Sequence, residues 1–532
     1  MTGKRHKIFI YIIIIVSIVF LIGMVVAEKK SVSALGRITL DLSDSEMDEL
    51  RGIRFYLPAD ENAGLMADIF STVFEEDELM QYLILPGNIR RQDVTCYAMD
   101  PFGHLLQRYV IDFSGTDTFD IGIHKLEAVY TDLPVLSFTA EPLSMSFEEL
   151  LNSDKTAEWH GFMTVSVDRK TARERNWPEV LISKAEYKYS KGSVILRGRG
   201  NTSWEIADKK SFTLELSSPE YLFDLGKRKQ FNLISGYTDR SLLNNEVFMG
   251  MAGKIGIPYE PGCERVTLYV DGEYQGVYLV TGKVRVRKDE VNLKDGDFFI
   301  NWGDPQADQA LYYDTEIWAD DMHYFKPYAN IIWPKNETEE ELFEKKEIVQ
   351  RFVSAIEDQG SDDYLKYMDL DSMVRFYWIQ EISMNYDADY RSIYSYYRAD
   401  TGRIYMGPVW DMDQSLGWNA GKAGWDYRNP EGFVIRDLSW YPYLFSRQEF
   451  KDAVKDAYFN GGVREAMFEA LDEYERKSRD MVKDGSLDYR KWRSSWPDLE
   501  IKYGNSYAEQ TEGSLSFFRR RVQWIDESMK AE

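Results

Sequence analysis

The run SIYSYYRADTGRIYMGPVWDMDQSLGW, Ser392–Trp418, leaves few choices of local fold. Two stretches rich in Ile, Tyr and Val flank ADTG, a tetrad whose Asp and Gly favour a turn, so the segment predicts an antiparallel hairpin. With the turn centred near Thr401, paired residue numbers sum to about 802. Asp411 then faces the region of Arg391, and Asp413 faces Asp389. Asp387, Asp389, Asp411 and Asp413 gather at the open end of one hairpin, where like charges repel unless a cation, a proton or an arginine stands between them.

Four carboxylates with Asn385 beside them suit a hard divalent cation, which takes oxygen ligands. Magnesium binds through one or two carboxylates and completes its shell with water and phosphate oxygens. The competing reading is that these aspartates cap turns at a sheet edge. An EF-hand is excluded, because the fifth and twelfth positions counted from Asp411 hold Ser415 and Lys422. Histidine-based zinc chemistry has no support, since His6, His104, His124, His160 and His323 are scattered with no HExxH spacing.

A site for phosphate is suggested further upstream. RGRGNTSW offers backbone N–H groups in a turn where Gly198 and Gly200 permit close approach, with Arg197 and Arg199 alongside. In KKSFTLEL, period two places Lys210 on the face of Phe212, Leu214 and Leu216, and Lys209 on the solvent face. A lysine on the apolar face either snorkels to the rim or reaches a ligand. TDRSLLNNEVFMGMAGKIGI predicts a helix capped by Asp239, carrying Glu246, and DSMVRFYWIQEISMN a helix capped by Asp371. A helix glutamate can hold a phosphate-binding lysine, as in kinases, or remain a solvated surface charge.

With 532 residues the chain has room for two or three domains. A formal charge of −25 excludes a general nucleic-acid binder, because most of the surface repels a phosphate backbone. Residues 1–7 form a basic tail. Ile8–Ala27 are uncharged and long enough to span a bilayer, predicting a single-pass anchor with the bulk of the chain extracytoplasmic, or secreted if Val25 and Ala27 mark a cleaved signal. Residues 28–131 alternate in short runs and predict a β-sandwich-like domain. Residues 132–530 form a larger α+β unit, helical from about residue 440. Cys96 and Cys263 permit one disulfide or two free thiols.

The motifs RGRGNTSW, KKSFTLEL, DRSLLNNEVFMGMAGKIGIPY, LYVDGEYQGVYLVT, MNYDADYRSIYSYYR and MGPVWDMDQSLGW, in this order, resemble the spore-coat protein H (CotH) kinase family. The resemblance implies an atypical protein-kinase-like, two-lobed fold, use of ATP with Mg2+ or Mn2+, and transfer of the γ-phosphate to Ser or Thr of coat or cell-surface proteins. Matched to the family motifs, Asp387 becomes the catalytic-loop acid, with Asp389 leaving that alignment open by a residue or two. Asp411 and Asp413 hold the metal, and Lys210 contacts the phosphates. Two departures stand out: Asn244 where the family often has Arg, and Gly282 where it often has Glu.

Two other readings compete. One is a non-catalytic surface module for adhesion or carbohydrate binding, with Trp204, Trp410, Trp418 and Trp425 as a stacking platform. The other is a nucleotide-sugar transferase, because WDMD resembles a metal-binding DxD motif, although no Rossmann-like βαβ start is recognisable.

Overall fold

A computed structural model describes the chain from Arg54 to Glu532 except residues 58–68, 73, 78–79, 87–93, 100–104, 112–117, 122–123, 132, 168–186, 201, 289, 304–309, 312–327, 336–337, 389–390, 418–427, 493–503 and 505. The chain divides into two compact units, one ending at Thr131 and including Asp271–Tyr274, the other comprising Asp132–Val270 and Gln275–Glu532.

The first unit holds strands β1 (Arg54–Leu57), β2 (Ile69–Thr72), β3 (Phe74–Asp77), β4 (Met80–Pro86), β5 (Val94–Met99), β6 (Leu105–Ile111), β7 (Thr118–Ile121) and β8 (His124–Thr131). They form four-stranded sheets in the orders β2-β1-β5-β6 and β3-β4-β8-β7.

The second unit is built on a barrel of β9 (Val135–Ala140), β10 (Trp159–Ser166), β11 (Tyr187–Arg199), β12 (Ser211–Tyr221), β13 (Lys227–Ile234), β14 (Cys263–Val270) and β15 (Glu273–Thr281). Six pairings leave two free edges, and the parallel pairing of β14 with β9, Thr267 opposite Val135, joins them and closes the barrel. Alternate residues such as Leu196, Leu214, Phe231 and Leu233 turn inward and make its core.

A five-stranded sheet follows, in the order β17 (Ala310–Leu311), β18 (Tyr328–Trp333), β16 (Phe298–Gly303), β19 (Ile393–Arg398), β20 (Arg403–Met406). The longer helices of the unit are α1 (Asn244–Lys254), α2 (Glu339–Glu357), α3 (Leu370–Ser383), α4 (Gln448–Phe459), α5 (Val463–Asp480), α6 (Val482–Trp492) and α7 (Tyr507–Ala531), with shorter helical turns between the elements. Helix α3 is apolar nearly all round and lies inside a second core with Val247, Phe248, Tyr474 and Phe518. Its N-cap is Asp369, whose carboxylate accepts the Ser372 N–H at 2.9 Å, while the expected cap, Asp371, pairs with Arg375 one turn along.

Two expectations are corrected. The two-lobed kinase-like fold behind a β-sandwich-like domain and a transmembrane helix gives way to a closed seven-stranded barrel, a second sheet and a helical assembly. Period-two alternation identifies strands but does not say which edges pair, and here the edges meet each other. Among the described residues no helix is long and apolar enough to cross a membrane. The span expected at Ile8–Ala27 lies outside the described residues, and the single-pass extracytoplasmic placement, which rested on that apolar length and on the basic flank before it, is withdrawn.

Candidate active site

The β19–β20 hairpin pairs Ser395 with Met406 and Arg398 with Arg403, one residue from the register that the turn predicted. Pairing stops at Met406, and the chain beyond it runs to Asp411, whose φ of 64° lies in the left-handed region. Met412 and Leu416 are fully buried, while Asp411 and Asp413 are only partly so. Alternation about two apolar anchors thus leaves the two carboxylates outside the core.

A second loop meets this one. Helix α3 ends at Met384 in left-handed backbone, φ 52°, and the chain turns through Asn385, whose Oδ1 accepts the Asp387 N–H at 3.3 Å. Backbone bonds from Tyr386 N–H to the Gln414 carbonyl, 3.2 Å, and from Leu416 N–H to the Ser383 carbonyl, 2.9 Å, tie the loops together. Gln414 Nε2 donates to Asp387 Oδ2 at 2.8 Å, and Ser392 Oγ to Asp411 Oδ2 at 2.8 Å.

The N-terminus of α1 clamps the same loop. Asn245 Oδ1 accepts the Met412 N–H at 2.8 Å, and Asn244 Nδ2 donates to the Ser415 carbonyl at 3.2 Å. Thr238 Oγ1 donates to Asp413 Oδ2. Asp239 caps from a distance, accepting the N–H of Ser241 at 3.0 Å and of Asn244 at 2.8 Å, although α1 begins after Leu243. Burial pushes the Asp239 carboxyl up to about 6.

Electrostatically the site is short of positive charge. Burial pushes the Asp413 carboxyl well above the carboxylate range, and the charges of Asp411, Asp387 and Asp239 push in the same direction. Among the described residues no three His, Cys, Asp or Glu are grouped closely enough to hold a metal ion. Magnesium, however, needs only one or two carboxylates beside its water and phosphate oxygens, and Asp411 with Asp413 meets that donor set.

A family model described as CotH kinase protein matches residues 196–525, a span containing both loops and helix α1. The chain belongs to the CotH kinase family. Among curated proteins, none matches it.

Other residues expected at a CotH kinase site take partners of their own. Arg197 donates to Glu158 Oε1 at 2.6 Å and to Glu215 Oε2 at 2.8 Å. Lys210 Nζ donates to the Trp204 carbonyl and stands 5.0 Å from that ring's centroid. Both Lys209 and Lys210 precede β12, so strand parity does not govern them; Lys209 is the buried one, with Nζ 2.6 Å from Asp488 Oδ1. Glu246 pairs with Arg265 on β14 and Lys477 on α5. Arg199 lies with its guanidinium 5.2 Å from the Trp410 ring centroid; burial lowers its affinity for the proton, and the charge of Asp411 opposes that. Asp389 lies outside the described residues.

The two departures from the CotH pattern have local causes. Asn244 spends its amide on the loop carbonyl of Ser415. At Gly282 an added Cβ would sit 2.5 Å from Arg228 Nη1, so the guanidinium, paired with Glu290 at 2.7 Å, fills the space of a side chain. Of the four tryptophans considered for stacking, Trp204 and Trp410 are buried, and Trp418 and Trp425 lie outside the described residues.

Thr238, Asn245, Ser392 and Gln414 were not singled out in the sequence. The doubled asparagine at the start of α1 was the available signal; nothing local marks a threonine 175 residues from its aspartate.

Proposed function

We propose that this CotH kinase family member transfers the γ-phosphate of ATP to serine or threonine hydroxyls of a protein substrate, with a divalent cation held by Asp411 and Asp413 and by Asn385 behind them. The observation that carries the reading is the meeting of the Asp387 loop and the Asp411–Asp413 loop under the clamp of Asn244 and Asn245. Phosphoryl transfer asks a protein mainly for positioning and for neutralisation of phosphate charge.

Bound there, the cation supplies charge to the phosphate oxygens. Asp387 has the chemistry to orient the acceptor hydroxyl and to accept its proton, and Gln414 fixes the plane of its carboxylate. Ser392 orients Asp411, and Thr238 orients Asp413. The donor set and the mutual repulsion of the carboxylates support the cation; the family supports ATP.

The test is incubation of the full chain with γ-labelled ATP and Mg2+ or Mn2+, with candidate protein acceptors, beside Asp411→Asn. Metal-dependent label transfer lost in the variant supports the reading. Neither nucleotide binding nor transfer would sink it, and binding without transfer would make the chain a pseudokinase. The sugar-transferase alternative has no parallel βαβ sheet among the described residues to stand on.

A further inference from the structure

Helix α7 reaches the end of helix α3 through one side chain. Arg521, fully buried, spends every N–H of its guanidinium. Nε and Nη2 donate to the Glu381 carbonyl at 3.2 and 2.8 Å, and Nη2 also to Glu381 Oε1 at 2.5 Å. Nη1 donates to the carbonyls of Pro430 at 2.9 Å and Gly432 at 2.5 Å. The Glu381 carboxylate, equally buried, accepts the Val434 N–H at 2.8 Å through Oε1 and the Arg436 N–H at 3.0 Å through Oε2.

A buried ion pair is a poor source of stability, because taking two charges out of water can cost more than their attraction returns. What this one supplies is direction. Glu381 stands in the last turn of α3, and its carbonyl also accepts, at 3.2 Å, the N–H of Met384, whose left-handed backbone turns the chain toward Asn385 and Asp387. The guanidinium therefore fixes the carbonyl on which that turn closes. The loop of Asp411 and Asp413 has holders of its own in Asn244, Asn245, Thr238 and Ser392, so the two loops do not depend on Arg521 alike.

We infer that Arg521 is a positioning residue for phosphoryl transfer: acting through Glu381, it sets the orientation of the Asp387 loop against the loop of Asp411 and Asp413. The role in transfer rests on the kinase reading, whereas the role in ordering the loop does not. A lysine at this position keeps a charge for Glu381 but loses the planar fork, and with it the carbonyls of Pro430 and Gly432. Displacing a catalytic group by about 1 Å is enough to cost on the order of 10²-fold in rate.

The test compares the full chain with Arg521→Lys by amide hydrogen exchange without ligand and by label-transfer kinetics with Mg2+ and ATP, both well below the melting temperature of every variant. Asp526→Ala is the control, because Asp526 docks the same helix through Tyr458 on α4 at 3.0 Å and Arg464 on α5 at 2.6 Å. In Arg521→Lys, exchange is expected to quicken at residues 384–388 more than in α1 and α5, and kcat to fall by about tenfold or more with KM for ATP within about threefold of wild type. Asp526→Ala is expected to melt lower yet keep wild-type exchange at residues 384–388 and wild-type kcat. If Arg521→Lys does not fold, Glu381→Gln carries the same readouts with the same expected directions. Wild-type exchange at residues 384–388 together with wild-type kcat, or an exchange increase spread evenly over the unit and matched by Asp526→Ala, overturns the inference. A wild type that transfers no label, with exchange at residues 384–388 still selectively raised in Arg521→Lys, removes the kinase reading and leaves Arg521 as the residue that sets the loop.

Discussion

Lys209 Nζ and Asp488 Oδ1 lie 2.6 Å apart, with both side chains 1% exposed. The pair joins the lead-in to β12 to helix α6 across 279 residues of sequence, and it is hydrogen-bonded further: Lys209 to the Val277 carbonyl at 2.7 Å, and the Val277 N–H to Asp488 Oδ1 at 2.7 Å. Asp488→Ala leaves a buried ammonium alone and is expected to destabilise the chain by about 3–5 kcal/mol. The double change Lys209→Met, Asp488→Leu is expected to recover most of that. Urea denaturation of the single and double variants decides it; equal losses in both would show that the ion pair is not the source.

Asn245 controls the loop rather than the chemistry. Asn245→Ala strips the Met412 N–H of its acceptor, and an unsatisfied buried amide costs about 1–3 kcal/mol. Metal-dependent ATP affinity is expected to fall with it, since Asp411 and Asp413 flank Met412. An Asn245→Ala protein that loses stability but keeps its metal-dependent affinity would separate the clamp from the site.

Carboxylate repulsion predicts an asymmetry at Asp413. Asp413→Asn removes a group that burial and three neighbouring aspartates disfavour as an anion, so the metal-free protein is expected to melt no lower than wild type. Mg2+ with ATP is expected to raise the wild-type melting temperature and to leave that of Asp413→Asn unmoved. A metal-free variant that melts clearly lower would place Asp413 among structural residues.

Acid sensitivity is expected from the barrel's outer face. Lys229, Arg197 and Gln230 hold the Glu215 carboxyl down from 4.5 to about 2. A folded-state depression of this kind stabilises the chain above the unfolded value, and the contribution disappears as pH falls from 4.5 through about 2. Its size is on the order of 2–3 kcal/mol, given a side chain 16% exposed. Glu215→Gln should flatten the stability profile in that window and leave its slope between pH 6 and 8 unaltered. An unchanged acid limb would remove Glu215 from the account.

The hairpin shows what local sequence can carry. Alternation on either side of ADTG and the turn residues within it specify two strands and a register good to one residue, because both depend on neighbours along the chain. The motifs from RGRGNTSW to MGPVWDMDQSLGW likewise carried the family, and a match over residues 196–525 upheld it. The closing of seven strands into a barrel was not legible, because β14 meets β9 only after more than a hundred intervening residues have found their places.

Partner choice among charges was decided by tertiary structure alone. KK names two lysines with the same chemistry, and only the packing of α6 against the barrel buries Lys209 and leaves Lys210 on Trp204. Glu246 took Arg265 and Lys477, the latter 231 residues away. The sequence by itself placed Asp387, Asp411 and Asp413 near the hairpin, because backbone periodicity and turn chemistry act over a few residues. Which charge pairs with which depends on Coulomb and desolvation terms set by distance in space, and those exist only once the chain has folded.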